Sequence, residues 1–234
     1  MSADLAASAQ NSPSRRMAWR RPKYLLFAFI GLMYAYVLWH NESFLFDHSD
    51  LEWPHIESFK WYLLPHGLAA GCALLLGPLQ FSDRLRKRFT KLHRVLGRFY
   101  VVGTLLGAPM GLYVQRFEEA HLHDANPVVH SLTLAATFQA GIWMFCTLIA
   151  MAFILQGKVL QHRQWMARSF ACAIVFLEVR VVQGAFNWDQ YTEIIVWGCV
   201  AAAVPLADFV LYAQELFRSR ATPAKAARPV TQAG

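Results

Sequence analysis

A chain of 234 residues that is 56% hydrophobic, 14% aromatic and only 16% charged lacks the balance of a soluble domain. Its net charge of +7 is not a nucleic-acid signature, because the cations fall between long apolar runs, where they set topology and meet anionic lipid. Cys72, Cys146, Cys172 and Cys199 all lie inside apolar runs with no C-x-x-C pair, and each is read as a small buried hydrophobe.

In chain order, residues 1–22 contain SRRMAWR, which resembles a twin-arginine export signal at Arg15 and Arg16. Ala18 and Trp19 fit its apolar positions poorly, and no A-x-A-like cleavage site follows the next apolar run. Residues 1–22 are therefore expected to form a disordered cytoplasmic tail, with the first apolar run retained as a helix. Six runs are long enough for a hydrocarbon core of roughly 30 Å, which takes about 20 helical residues. They lie at about 23–41, 61–82, 92–115, 128–155, 162–187 and 191–217. Backbone groups in lipid must bond internally, so each is a helix. Residues 218–234 have the Ala/Pro/Arg composition of a second disordered tail.

Charge orients these runs. The N-terminal tail with Lys23 after it, the 83–98 stretch, the 157–168 stretch and the C-terminal tail hold 5, 7, 3 and 4 Lys/Arg, 19 of the chain's 22. Ten acidic residues, from Glu42 to Glu193, fall on the other side. The positive-inside rule then places both termini in the cytoplasm. The expected fold is an all-α integral membrane protein with six transmembrane helices over 23–217 and a four-helix core from the second to the fifth.

Histidines supply the sharpest functional pattern. His66, His93, His130 and His162 stand near the starts of the second, third, fourth and fifth spans. Back-and-forth crossing puts His66 and His130 near one face and His93 and His162 near the other. At 1.5 Å per residue, His66 is roughly 7 Å and His130 about 3 Å inside its helix. Two imidazoles from different helices meet the ligand demand of one haem iron, so two pairs suit two b-type haems. The helix face below each histidine carries mostly small residues: Ala69, Ala70, Ala73 and Gly77; Gly97, Tyr100, Thr104, Gly107 and Gly111; Thr133, Thr137 and Gly141; Met166, Ser169 and Ala173. Such faces leave room beside a flat macrocycle. They also let membrane helices pack tightly with no cofactor at all. Haem propionates want cations nearby. Lys91, Arg94 and Arg98 flank His93, Arg163 and Arg168 flank His162, and Arg180 is expected at the depth of the outer pair. The positive-inside rule explains the same cations without a cofactor. His40, His48, His55, His121 and His123 are read as exposed loop residues.

Ionisable residues within a span are functional candidates by default. Glu178 and Arg180 lie two apart and point to different faces, so Glu178 lacks an obvious partner. It suits a neutral structural role or a proton path to a quinol.

The segments HGLAAGCALLLGPLQFSDRLRKR, KLHRVLGRFYVVGTLLGAPMGLYV and HRQWMARSFACAIVFLEVRVV resemble those of a large bacterial family of multi-pass membrane proteins of unknown function. The likeness covers about residues 60–185. It is carried by His66, Arg84, His93, Arg94, Gly97 and Arg98, then by His162, Arg163, Trp165, Met166, Arg168 and Arg180. It implies a shared membrane fold and a bacterial cytoplasmic-membrane location, without an activity. His130 is outside this pattern. The order of histidines on six helices is also similar to that of the ascorbate-reducible transmembrane di-haem cytochrome b family. That likeness implies electron transfer through b-type haem, with a small-molecule or quinone donor or acceptor. The other readings are a non-haem transport, quinone or proton-relay protein using Glu178 and Arg180, and a structural or assembly partner in the membrane.

Overall fold

The computed structural model describes residues 22–40, 53–121 and 127–221. The tails, His48 and His123 lie outside them, apart from Pro22 and the last turn of the final helix. The elements are α1 (Pro22–His40), α2 (Trp53–Gln80), α3 (Asp83–Arg88), α4 (Thr90–His121), α5 (Pro127–Leu155), α6 (Val159–Phe186), a 3-10 turn (Asp189–Tyr191) and α7 (Thr192–Ala221).

Five helices among the described residues are long and apolar enough to cross a membrane: Phe59–Gln80, Thr90–Phe117, Pro127–Leu155, Val159–Phe186 and Thr192–Leu216. The protein is an all-helical multi-pass membrane protein. The first expected span differs: α1 offers only the shorter apolar run Phe27–Trp39. Two other departures from the sequence reading have local causes. α2 starts eight residues before the expected span and kinks at Phe59 (φ −129°, ψ 16°), which separates an entry segment from the apolar part. The basic 83–88 stretch is itself a helix, because Ser82 accepts from Leu85 N–H at 3.3 Å and caps it.

Short connections fix the helix order. Gly157 takes φ 74° between α5 and α6, a conformation open to glycine, and Lys158 N–H closes the turn on Phe153 O at 2.9 Å. Asn187 ends α6 in the left-handed region at φ 53°. α2, α4, α5 and α6 form a ring of neighbours, closed by α2 against α6; α7 lies on α5 and α6, and α1 on α6. Neither diagonal of the ring, α2 with α5 or α4 with α6, belongs to its closely packed pairs.

Small residues set the closest approaches. Along α4, Gly107 backs onto Ala70 of α2, where a Cβ would stand 3.0 Å from a backbone nitrogen. The Phe170 ring of α6 occupies the place a Cβ on Gly77 of α2 would take. The core centres on Tyr100, Trp143, Ala150, Phe170, Ala173 and Val175. The outer surface is the reverse of a soluble protein's: Trp61, Leu68, Leu155, Ile194 and Phe209 are each at least 68% exposed. Such a surface is stable only against lipid.

Candidate functional site

α4 and α6 both begin at the basic end of the bundle, beside α3. They bring His93 and His162 there, three residues into each helix. His162 Nδ1 lies 2.9 Å from Ala150 O of α5. A carbonyl only accepts, so Nδ1 carries the proton and Nε2 keeps its lone pair. His93 is in electrostatic reach of His162, Arg86 and Arg94. Its own Nδ1 meets Gln80, the last residue of α2. With the Gln80 amide turned to serve both ends, Nε2 donates to His93 Nδ1 (3.0 Å) and His93 O (3.2 Å), and Oε1 accepts from Gly97 N–H (3.2 Å). The opposite turn presents Oε1 to a protonated Nδ1 but sets it against His93 O and sets Nε2 against Gly97 N–H.

At the other end, His66 Nδ1 donates to Gly107 O at 2.9 Å, which again leaves Nε2 with a free lone pair. Its ring lies against Gly111, where a Cβ would come within 2.6 Å of Cε1. Gly107 and Gly111 thus serve the α2–α4 contact and the seat of the His66 ring. They do not open space for a macrocycle, because Ala70 and the imidazole fill it. His130 is exposed and donates from Nδ1 to Glu119 at 3.0 Å, a carboxylate that Arg116 also binds at 3.0 Å. That hydrogen bond holds the Glu119 carboxyl below the usual carboxylate range.

The cations separate by role. Lys91, Arg94 and Arg98 are exposed, and Lys91 and Arg98 lie on the side of α4 away from His93. Arg163 is half-buried and engaged. Arg168 reaches across to Asp208 of α7 at 2.7 Å and stacks on Trp165 at 4.8 Å. Arg180 is exposed over Phe176 at 5.4 Å. Glu178 is half-buried in electrostatic reach of Cys172 and Cys199, with no hydrogen bond or ion pair among the described residues.

Between these groups lies a polar cluster that sequence reasoning missed. Tyr100 Oη is 2.8 Å from Ser169 Oγ, Ser169 Oγ is 2.7 Å from Thr147 Oγ1, and Trp143 Nε1 donates to Tyr100 Oη at 3.4 Å. Tyr100, Thr147 and Ser169 are completely buried. Part of the signal was present: Tyr100 and Ser169 each stand seven residues after a core histidine, two turns down the same face. Trp143 and Thr147, four apart on α5, had no histidine to mark them.

Among the described residues no group of three or more His, Cys, Asp or Glu is arranged to hold a metal ion. A haem iron asks less, two imidazoles, and brings its other four ligands itself. No curated protein and no solved structure matches the chain. A family model does match, over residues 63–211, which takes in three spans whole and most of the first and last: the chain belongs to the family described as Predicted membrane protein (DUF2306).

Proposed function

We propose that the ring of α2, α4, α5 and α6 carries electrons through the membrane on b-type haem held by His93 and His162. The observation behind this is the state of His162. Its Nδ1–H is committed to Ala150 O, its Nε2 is free, and His93 stands in electrostatic reach on the diagonal helix. A backbone carbonyl on the far ring nitrogen is the outer-shell arrangement that orients metal-binding histidine. His162 therefore fits one side of a bis-histidine haem, which supplies a one-electron carrier when bound. For His93 to join, Gln80 must present Oε1 to its Nδ1–H. Arg94 and Arg86, in electrostatic reach of His93, offer positive charge to propionates. The polar cluster two turns deeper ties α4, α5 and α6 together and keeps that end of the ring fixed. His66 has the same free Nε2, but its expected partner His130 is exposed and bound to Glu119, so the reading rests on the inner pair.

The topology that goes with it has six crossings and cytoplasmic termini in a bacterial inner membrane. α1 has 19 residues, a length of about 28 Å at 1.5 Å per residue, and packs on α6. Cations gathered at the α3 end support the orientation. A second reading has one observation in its favour: Glu178, half-buried without a partner within a span, suits proton exchange with a quinol.

A reduced-minus-oxidised visible spectrum with a pyridine haemochrome assay tests the proposal on detergent-purified protein. The expected result is one b-type haem per chain, lost in His93→Ala and in His162→Ala and kept in His130→Ala. Absence of haem from protein made in haem-replete cells sinks the cytochrome reading and moves the weight to Glu178→Gln and quinol assays.

A further inference from the structure

Two of the cations expected beside His93, Lys91 and Arg98, face elsewhere, and that placement has its own chemistry. On α4, Leu92, Val95, Phe99, Val102 and Leu106 form one outward stripe, each 43–56% exposed. Lys91 and Arg98 border it along one edge, with Arg94 beside them, all exposed. None of the three has a carboxylate partner among the described residues, whereas Arg86 nearby is paired with Asp83 at 2.7 Å.

We propose that Lys91, Arg94 and Arg98 clamp the phosphate of an anionic phospholipid whose acyl chain lies along Leu92, Val95, Phe99 and Val102. Lengths agree. Leu92 to Val102 rises roughly 15 Å, which is half of a hydrocarbon core of about 30 Å and therefore one leaflet. Arg98 starts two turns deeper than Lys91, and its long stem lets the guanidinium reach back to the headgroup level while its methylenes cover the stripe. Charge selects the occupant. Residues 1–21 contain Arg15, Arg16, Arg20 and Arg21 against Asp4, and residues 222–234 contain Lys225 and Arg228 with no acidic residue. Both stretches carry a net positive charge that the clamp repels, and a second copy would set the same cations against each other. Lys91 and Arg98 face away from His93, so their part of the clamp is independent of any haem, and the variants that test it leave Arg94 in place.

Full-length protein in a non-ionic detergent is titrated with phosphatidylglycerol or phosphatidylcholine, with bound lipid counted by native mass spectrometry and stability followed by thermal unfolding. Phosphatidylglycerol is expected to saturate at about one lipid per clamp and raise the midpoint, and phosphatidylcholine to do neither. Each cation removed should weaken binding about fivefold, so Lys91→Gln/Arg98→Gln loses roughly 25-fold. Arg84→Gln/Lys87→Gln on α3 removes the same charge and should leave the site intact. Equal losses in the two double variants would reduce the effect to diffuse surface charge and overturn the clamp. Equal binding of the two lipids would overturn it too, as would disulfide cross-linking of Val102→Cys chains that persists with lipid, which would assign the stripe to a second copy. Unfolding midpoints without lipid verify that each variant folds, and Arg98→Gln alone replaces a double variant that does not.

Discussion

Gly111→Ala puts one methyl group where the His66 ring now lies. The new Cβ would stand 2.6 Å from Cε1 and 3.1 Å from Nδ1, against ordinary contact from 3.4 Å. The ring must retreat by about 0.8 Å, the difference between 3.4 and 2.6, and the 2.9 Å bond to Gly107 O does not survive that movement. A hydrogen bond between membrane helices averages about 0.6 kcal/mol and reaches about 1.7. Overpacking of a close contact costs about 1–3 kcal/mol. Replacing a helical glycine with alanine returns about 0.5–1 kcal/mol. The net loss is therefore about 0.6–4 kcal/mol in the wild-type background. In a His66→Ala background the obstruction is gone, and Gly111→Ala should be neutral or stabilising by up to about 1 kcal/mol. The return cancels between the two backgrounds, so the double-mutant cycle should give a coupling of about 1.5–4.5 kcal/mol. Denaturing-detergent titration of the four proteins in mixed micelles, followed by circular dichroism, measures it. Additivity within about 0.5 kcal/mol would refute the contact, because uncoupled sites add to that precision.

Tyr100→Phe keeps the buried ring but leaves the Trp143 indole N–H without an acceptor and Ser169 with Thr147 alone. It should lower stability by about 1–2 kcal/mol, and Tyr100→Phe/Ser169→Ala should lose less than the sum of the single changes in the same titration; full additivity would show that the hydroxyls act separately. At the opposite end, the His130 imidazole lowers the Glu119 carboxyl's affinity for a proton. A depressed folded-state value means that the tie contributes fully above the ordinary Glu range and is lost as pH falls through the depressed value. Hydrogen exchange at the end of α4 and the start of α5 should accelerate across that acidic window in the wild type. In His130→Ala the pH-dependent part should shrink to what Arg116 and Thr133 sustain; an unchanged profile would remove the imidazole as its main cause.

Much of this architecture is written in composition, because the bilayer imposes its rules locally. A helix in lipid must satisfy its own backbone, so length and hydropathy locate α4 to α7 to within a few residues, and basic segments mark one end. The kink at Phe59 and the capped helix α3 arise from short-range backbone geometry that hydropathy does not register. α1, with its shorter apolar run, shows where that criterion loses its grip. The histidines were visible as residues near helix starts, and their tautomers were not. A ring nitrogen's proton depends on what stands opposite it, here Gly107 O, Ala150 O and Gln80, each contributed by a different helix. The glycines illustrate the same division. Spacing along α4 placed Gly107 and Gly111 on one face, consistent with a cofactor cleft or a tight helix contact. Only the packing of α2 onto that face decided for contact, because a missing Cβ is room for whichever group the fold brings closest. Lys91, Arg98 and Arg168 were likewise legible as positive charge near histidines. Helix rotation then turned the first two toward lipid and the third onto Asp208, since a charge acts through the partner it reaches in space and not through its neighbours in the chain.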